Sequence, residues 1–169
     1  MNLPLKGKRR FLDSTCVKVH RCAMNPPGGG PEAMGRTKGG MNTKIHAVVD
    51  EAGLPVRLLI SPANDGDITH APEMIEGLPA EAIVADKGYD SDEFVDQIHR
   101  QGATACVPPR SNRLNPRKYS KASYKKRHLV ENFFEKIKNF RRVATRYDKL
   151  AESFLGFVCL AAVLVSLRK

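Results

Sequence analysis

The sequence predicts an α/β domain in which one mixed β-sheet of about five strands carries helices on both faces. Two observations predict this class. The first half of the chain holds three strand candidates in a row, joined by short turns, which indicates antiparallel pairing. The second half alternates short apolar strands with helical patterns, which is typical of β–α–β crossovers. With 169 residues, the chain has room for one domain, residues 1–169.

The first half supplies the predicted antiparallel strands. Residues 11–19 are β-branched and roughly alternate between apolar and polar types, and residues 42–50 and 55–61 behave in the same way. The segment EAGL, residues 51–54, predicts a hairpin turn between the last two of these strands. Glycine and proline dominate residues 25–40, which we expect to form a loop.

The second half supplies the predicted crossovers. Helices are expected over residues 69–78, about 91–101, about 125–140 and 150–168, and strands over 82–85 and 104–107. Ser91 is expected to cap the second helix, because its hydroxyl can accept a backbone N–H bond and acidic residues follow it. Residues 110–121 are basic and contain proline, so we expect a mobile loop there.

The C-terminal helix is unusually apolar. Its uncharged run, residues 154–167, is shorter than the roughly 20 residues that a membrane span requires. We therefore expect no membrane contact and a helix that packs over the sheet or on a partner chain.

Positive charge is concentrated in one part of the chain. Lys and Arg number 28 against 18 Asp and Glu, which gives a net charge of +10 and a pI of about 9.7. Residues 108–149 alone carry 14 basic and 3 acidic residues, so the remainder is close to neutral. This basic block predicts a nucleic-acid partner held through its phosphates, with a solvated charged surface as the alternative.

Cysteine usage and the N-terminal residues bear on the compartment. The four cysteines include no C-x-x-C pair, which argues against a zinc ribbon and against a disulfide framework. The first ten residues contain no apolar run, so we expect no signal peptide and a cytoplasmic location. The cysteines are Cys16, Cys22, Cys106 and Cys159.

Three acidic residues stand out by their positions in the predicted strands and helices. Asp13 lies inside an apolar strand, Asp86 ends the strand at residues 82–85, and Glu131 lies on the helix within the basic block. Each has a local alternative. Asp13 could bond its own turn, Asp86 could form a turn with the Lys-Gly that follows, and Glu131 could pair with Lys138 or Arg127.

Taken together, the three acids predict a metal site. Asp13 and Asp86 fall on neighbouring strands, and Glu131 lies on a helix that can cross them. Converging carboxylates repel each other until cations neutralise them, and hard divalent ions prefer such oxygen ligands. Basic residues around the pocket would hold a nucleic-acid backbone, an arrangement suited to two-metal phosphodiester chemistry.

Several segments resemble the catalytic part of DDE transposases from bacterial insertion sequences, which have an RNase H-like fold. The segments LDSTCVKVHR and IVADKGYDSDEF resemble those around the first and second catalytic aspartates, and GRTKGGMNTKIHAVVDEAGLPVRLLISPANDGD resembles the family's second and third strands. The family signature Y-x-x-R-x-x-x-E-x-x-x-x-x-x-K is intact as Tyr124, Arg127, Glu131 and Lys138. The spacing of these four residues also places them along one face of a helix, with a salt-bridged solvent stripe as the alternative.

The resemblance implies metal-dependent DNA cleavage and strand transfer. It assigns Asp13, Asp86 and Glu131 as catalytic residues that hold two Mg²⁺ or Mn²⁺ ions. DNA contacts are expected from the signature and the basic block, namely from Tyr124, Arg127, Lys138, Arg141 and Arg142. The expected partners are transposon-end and target DNA and a second copy of the chain.

One departure from the resemblance bears on activity. Family members carry an N-terminal region before the first catalytic aspartate, whereas Asp13 comes almost at once here. We therefore expect a separate end-binding polypeptide, and two alternative functions stay open: an RNase H-like nuclease without strand transfer, and a non-catalytic DNA-binding remnant or regulator.

Other candidate ligands form weaker patterns. Cys16, His20 and Cys22 supply only three ligands that partly alternate across a strand, which argues against zinc. Asp65 and Asp67 resemble part of a calcium loop without its terminal glutamate. The remaining histidines are expected to be structural or at the surface, namely His46, His70, His99 and His128.

Overall fold

The computed structural model describes residues 7–24 and 32–168. The strands are β1 (Arg9–Val19), β2 (Gly35–Thr37), β3 (Gly40–Val49), β4 (Pro55–Pro62), β5 (Ala82–Val84), β6 (Thr104–Cys106) and β7 (Thr145–Arg146). The helices are α1 (Asp67–Ile75), α2 (Asp92–Arg100), α3 (Lys121–Tyr124), α4 (His128–Lys138), α5 (Arg141–Ala144) and α6 (Ala151–Leu167).

All of these strands belong to one mixed sheet. β3 pairs antiparallel with β1 on one edge and with β4 and β2 on the other. β1 then pairs parallel with β5, and β5 pairs parallel with β6. Three antiparallel strands followed by two parallel ones confirm the predicted α/β class and the RNase H-like arrangement, to which β2 and β7 are short additions.

Helices cover both faces of the sheet because successive residues of a strand point to opposite sides. Phe11 of β1 belongs to the core beneath α4 and α6, whereas the next residue, Leu12, belongs to the core beneath α1 and α2. Both side chains are fully buried, and burial of each contributes roughly 2 kcal/mol. The face beneath α4 carries the candidate site.

The predicted hairpin turn and helix cap are present. The Asp50 carboxylate accepts the backbone N–H groups of Ala52 and Leu54 at 2.8 and 2.9 Å, and Gly53 takes a positive φ of 68° that closes the turn. The Ser91 hydroxyl accepts the N–H of Phe94 at 3.5 Å and so caps α2 as expected.

The expected loop over residues 25–40 is wrong at its C-terminal end, and residues 25–31 lie outside the described part. Gly35–Thr37 forms β2 because Gly40, with a φ of 101°, reverses the chain into β3. The Asn42 amide donates to the Thr37 hydroxyl at 2.8 Å and stabilises this reversal.

The helix expected over residues 125–140 is interrupted. α3 is followed by one tighter turn, Lys125–Arg127, and α4 ends at Lys138 because Phe140 is extended (φ −82°, ψ 115°). The signature residues therefore occupy successive helical segments instead of one continuous helix.

The basic segment expected to be a mobile loop is tied to the domain. Arg113 and Arg117 donate to the buried carboxylate of Asp90 at 2.9 and 2.6 Å, and the backbone N–H of Arg110 donates to it at 2.8 Å. A buried carboxylate is costly without partners, so this cluster holds the segment against the start of α2.

The C-terminal helix forms where the sequence predicts it. Phe154 and Val158 pack into the core beneath α4, but the opposite face of α6 is exposed. Within the described residues, none of the helices is both long enough and apolar enough to cross a membrane.

Candidate functional site

The sheet register brings Asp13 and Asp86 together on one face. β1 and β5 run parallel, with Phe11 of β1 opposite Val84 of β5. Asp13 lies two residues after Phe11, and Asp86 lies two residues after Val84. Because side chains repeat their direction every second residue, both aspartates face the side where Phe11 and Val84 pack beneath α4. The predicted juxtaposition of these two acids is present.

A tight turn fixes the carboxylate of Asp86. One of its oxygens, Oδ1, accepts the backbone N–H of Gly88 at 2.7 Å and caps the turn Lys87–Tyr89. A Cβ atom at Gly88 would lie only 2.8 Å from that oxygen, so a side chain at residue 88 would displace the carboxylate. The local turn-forming alternative for Asp86 is therefore realised, and it orients the group beside Asp13.

Arg127 joins the strand acid to the helix acid. Its guanidinium donates to Asp13 Oδ2 at 2.7 Å and to Glu131 Oε1 at 2.5 Å. The second contact spans one helical turn, so Glu131 pairs with Arg127 as one of the sequence alternatives allowed. Asp13, Arg127 and Glu131 thus form one continuous ion-paired cluster at the N-terminal end of α4.

Burial perturbs the Asp13 carboxyl. Its side chain is 15% exposed, and the pKa is raised to about 6, chiefly because burial disfavours the charged form. The Arg127 charge and the backbone N–H of Ser14 oppose this rise in the pKa, whereas the neighbouring Asp86 charge adds to it. Burial therefore outweighs the Arg127 ion pair in setting the protonation of Asp13.

The other two signature residues lie on either side of this cluster. Lys138 crosses to β1, where its ammonium donates to the Thr15 hydroxyl at 2.5 Å and to the Cys16 carbonyl at 3.2 Å. Burial lowers the pKa of Lys138. Tyr124 is half-buried, packs edge-on against Tyr119 at 5.6 Å, and has a pKa raised chiefly by burial.

Two predicted DNA-contacting arginines lie on α5, on a separate segment from the acids. Arg142 pairs with Asp148 at 2.5 Å and stacks over Phe157 at 4.0 Å, while Arg141 lies 6.0 Å from the ring of Tyr147. Both arginines are exposed.

Asp86 also borders a groove of about 370 Å³. The far wall is the basic segment that Asp90 holds, so Arg110, Ser111 and Asn112 face Asp86, Lys87 and Gly88. The Arg110 guanidinium donates to the carbonyl oxygens of Lys87 and Gly88 at 3.3 and 2.8 Å. The groove thus combines cationic and polar groups beside Asp86.

The Asp90 cluster was not predicted from the sequence. Its arginine partners lie 23 and 27 residues away, and only the acid-rich run after Gly88 could have indicated an anchoring role. A second missed network lies on the opposite sheet face, where Lys44 pairs with Asp67 at 2.7 Å and Asp67 accepts the Ser14 hydroxyl at 2.7 Å. This network holds β1 one residue beyond Asp13.

The other candidate ligands do not gather into a metal site. Within the described residues, there is no group of three or more His, Cys, Asp or Glu side chains placed to hold a metal ion, and this applies to Asp13, Asp86 and Glu131 as well, because the Glu131 carboxylate is turned to Arg127. His20 contacts Cys22 at 3.0 Å, and Asp65 pairs with His70 at 3.2 Å, while Asp67 opens α1. The zinc and calcium alternatives therefore find no support in this part of the chain.

Two of the histidines expected to be structural or at the surface have polar partners. His46 is buried and shares a hydrogen bond of 2.8 Å with Ser61, and burial lowers its pKa to about 4. His128 lies 2.9 Å from the Lys125 carbonyl. Both contacts are structural, which agrees with the role predicted for these residues.

Comparison with known proteins identifies the family. The Transposase DDE domain family matches residues 4–165. A putative transposase for insertion sequence element IS6501 from Brucella ovis is 38% identical over 76% of this chain and 100% of its own length. A putative transposase for insertion sequence element IS402 from Burkholderia cepacia is 24% identical over 95% of this chain and 76% of its own length.

Among solved structures, the chain is similar to the piggyBac transposase synaptic complex with hairpin DNA. The TM-score is 0.44 at 11% sequence identity, over 64% of this chain and 24% of that one. The family match spans nearly the whole sequence and includes Asp13, Asp86 and the four signature residues. The chain therefore belongs to the DDE-domain transposase family, and its function is that of an insertion-sequence transposase.

Proposed function

We propose that Asp13, Asp86 and Glu131 are the catalytic acids of this transposase and that they act on DNA with two divalent metal ions, Mg²⁺ or Mn²⁺. The observation that carries this proposal is that Asp13 and Asp86 each lie two residues beyond the paired residues Phe11 and Val84 of adjacent parallel strands, with Glu131 joined to Asp13 through the Arg127 guanidinium.

The donor types suit hard divalent ions, but the three acids are not gathered into a metal site as they stand, so Glu131 must turn from Arg127 to join the two aspartates. Asp13 and Asp86 present carboxylate oxygens on one face, and a bound cation would favour the charged form of Asp13, whose pKa burial raises. Glu131 is the helix-borne third acid, and its side chain is 47% exposed, which leaves it room to turn away from Arg127. Bound ions would supply a water of lowered pKa and neutralise charge on the departing 3′ oxygen.

Basic and aromatic side chains of the same surface would bind and orient the DNA. Arg127 and Lys138 lie on either side of Glu131 and can hold phosphates beside the acids, because guanidinium and ammonium groups form charge-assisted bonds with phosphate oxygens. Tyr124 would contact a flanking nucleotide, and exposed Arg141 and Arg142 would follow the backbone.

The groove beside Asp86 adds a second set of phosphate contacts. Arg110 already lies against the turn that follows Asp86, and Lys87 is exposed next to it. A DNA strand in this groove would pass beside Asp86. Such contacts position the backbone and carry no base specificity.

The wider organisation is also proposed. Residues 1–169 would act as a single catalytic domain in the cytoplasm, with transposon-end and target DNA as substrates and a separate polypeptide for recognition of the ends. The family match over residues 4–165 supports the single domain, and the charge of +10 supports the DNA partner.

The decisive experiment measures nicking of element-end DNA with Mg²⁺ or Mn²⁺. Asp86→Asn is expected to lower the rate about 100-fold or more. The substitution removes a proposed ligand of the metal ions, and those ions would stabilise the charge of the transition state by several kcal/mol. Asp96→Asn is the matched control, since Asp96 is an exposed aspartate on α2 away from the acid pair, and it should retain the rate. Full nicking by Asp86→Asn would reject the assignment.

A second assay separates strand transfer from plain hydrolysis. The protein receives DNA with a pre-cut 3′ end together with a target duplex. Joining of the two is expected for a transposase, whereas nicking without joining would indicate the nuclease alternative. DNA binding with no metal-dependent turnover would indicate a non-catalytic regulator.

A further inference from the structure

The exposed face of α6 is apolar. Four large side chains on it are 38–75% exposed: Leu160, Val163, Leu164 and Leu167. A surface helix normally carries polar residues on the side away from the core, and a helix that is apolar all round is normally buried. Nothing in the described part of the chain covers this face, so we expect another polypeptide to bury it.

The four residues form a ridge with a groove on each side. Their spacing of three and four residues places them in one row along the helix. On one side, a groove of about 490 Å³ separates α6 from β4 and its preceding turn, Leu54–Leu58. On the other side, a smaller groove of about 220 Å³ lies between α6 and Phe140–Val143. A ridge flanked by grooves can pack against a copy of itself.

The charges at the helix ends favour an antiparallel copy. Glu152 lies in the first turn, Arg168 directly follows the last turn, and both are exposed. An antiparallel pair brings the acidic end of each helix near the basic end of the other and aligns the two helix dipoles favourably. A parallel pair would bring like charges together at both ends.

Side-chain sizes favour one register for that pair. If Leu160 lies on the two-fold axis, Gly156 of one helix lies across from Leu164 of the other, and Ser153 lies across from Leu167. No heavy atom lies within 4 Å of the position that a Cβ on Gly156 would take, so the notch there is open. Each small residue of the N-terminal half thus meets a large one of the C-terminal half.

We propose that α6 is the interface of a symmetric homodimer in which two copies pack antiparallel about Leu160. Such a self-complementary contact closes at two subunits. α6 is only roughly 25 Å long, and a stable interface needs about 800 Å² per partner, so the rim of β4 would complete the contact. This inference does not depend on the assignment of the catalytic acids.

Sedimentation equilibrium of the full chain tests the interface. The unsubstituted protein is expected to dimerise, and Leu160→Glu or Val163→Glu should raise the dissociation constant at least tenfold, because each buries a charge without a partner. Leu114→Glu is the matched control: this leucine is 96% exposed in the basic segment, and the same substitution there should leave the dimer intact. Circular dichroism would verify that every variant is folded.

Thiol cross-linking tests the antiparallel register. The exposed cysteines are first replaced by serine, namely Cys16, Cys22 and Cys159. Leu160→Cys should then cross-link to itself with a short bifunctional maleimide, whereas Ser153→Cys should not, because two such sites would lie roughly 21 Å apart along an antiparallel pair. Efficient self-linking at both positions would indicate parallel helices and overturn the proposal.

Two further outcomes would overturn it. A monomeric unsubstituted protein at all concentrations would mean that another polypeptide, or none, covers α6. A dimer that survives both glutamate substitutions would place the interface elsewhere on the molecule.

Discussion

Replacing Asp13 by Asn should change how stability depends on pH. The Asp13 carboxyl is largely buried, and its pKa in the folded chain is about 6, against an ordinary value of 3.8. The folded state therefore binds more protons than the unfolded state between these values. It follows that the free energy of unfolding falls as pH rises through this window.

The size of the effect follows from the two pKa values. Their separation corresponds to about 3 kcal/mol of stability, which is fully present below about pH 4 and lost above about pH 6. Asn cannot titrate, so Asp13→Asn escapes this loss. The free energy of unfolding of the variant, relative to the unsubstituted protein, should therefore rise by up to about 3 kcal/mol between pH 4 and pH 7.5.

Urea denaturation followed by circular dichroism at several pH values measures this difference. Subtracting the two proteins removes the contribution of other groups that titrate in the same range, including His46. Asp90→Asn serves as a control whose difference from the unsubstituted protein should stay nearly constant over this range, since hydrogen bonds from the Arg110 backbone N–H and the Arg113 side chain hold the pKa of Asp90 below its ordinary value despite burial, and the group is therefore ionised in both folded and unfolded states above about pH 4. A difference between Asp13→Asn and the unsubstituted protein that is constant from pH 4 to pH 7.5 would refute the reasoning.

Three other substitutions test structural features of the fold. Asp90→Asn should lower the free energy of unfolding at pH 7 by about 2 kcal/mol and speed trypsin cleavage within residues 110–118, because two arginines lose their buried partner. His46→Phe should remove an acid-sensitive loss of about 3 kcal/mol between pH 6.5 and pH 4, visible in urea titrations, because the folded chain resists protonation of His46 while the unfolded chain does not. Arg146→Lys should lower the melting temperature, with a loss of about 2 kcal/mol, because the buried guanidinium donates to the Thr43 hydroxyl and to two carbonyl oxygens; an unchanged melting temperature would contradict this.

The sequence indicates the acid pair because the pairing follows from periodicity. Residues 82–85 read as a short buried strand and residues 11–19 as its partner, so Asp13 and Asp86 could be placed at one edge before any coordinates. The ion-pair partner of Glu131 was less clear from the sequence. Both Arg127 and Lys138 were within reach of Glu131, and only the tertiary structure shows that Lys138 turns to Thr15 on β1 instead.

Features that depend on distant contacts escaped prediction. β7 is two residues long and forms because Arg146 is anchored on β3, which no local pattern signals. The ordering of the basic segment depends on Asp90, an acid whose partners lie more than twenty residues away. Local composition indicated a mobile loop there, because charge and proline content carry no information about ion pairs with a distant residue such as Asp90.

If Asp13 and Glu131 hold a divalent ion as proposed, the position of Arg127 couples the binding of that ion to the binding of DNA. Its guanidinium neutralises Asp13 and Glu131, which are the same carboxylates that a divalent ion would neutralise. A cation held by these acids therefore competes with Arg127 for them, and DNA phosphate is the anion that can replace them as its partner. Because α4 is fixed to β1 at a second point through Lys138, this exchange can occur without moving the helix. Cation and DNA binding at this site should consequently favour each other, since each compensates for the contact that the other breaks.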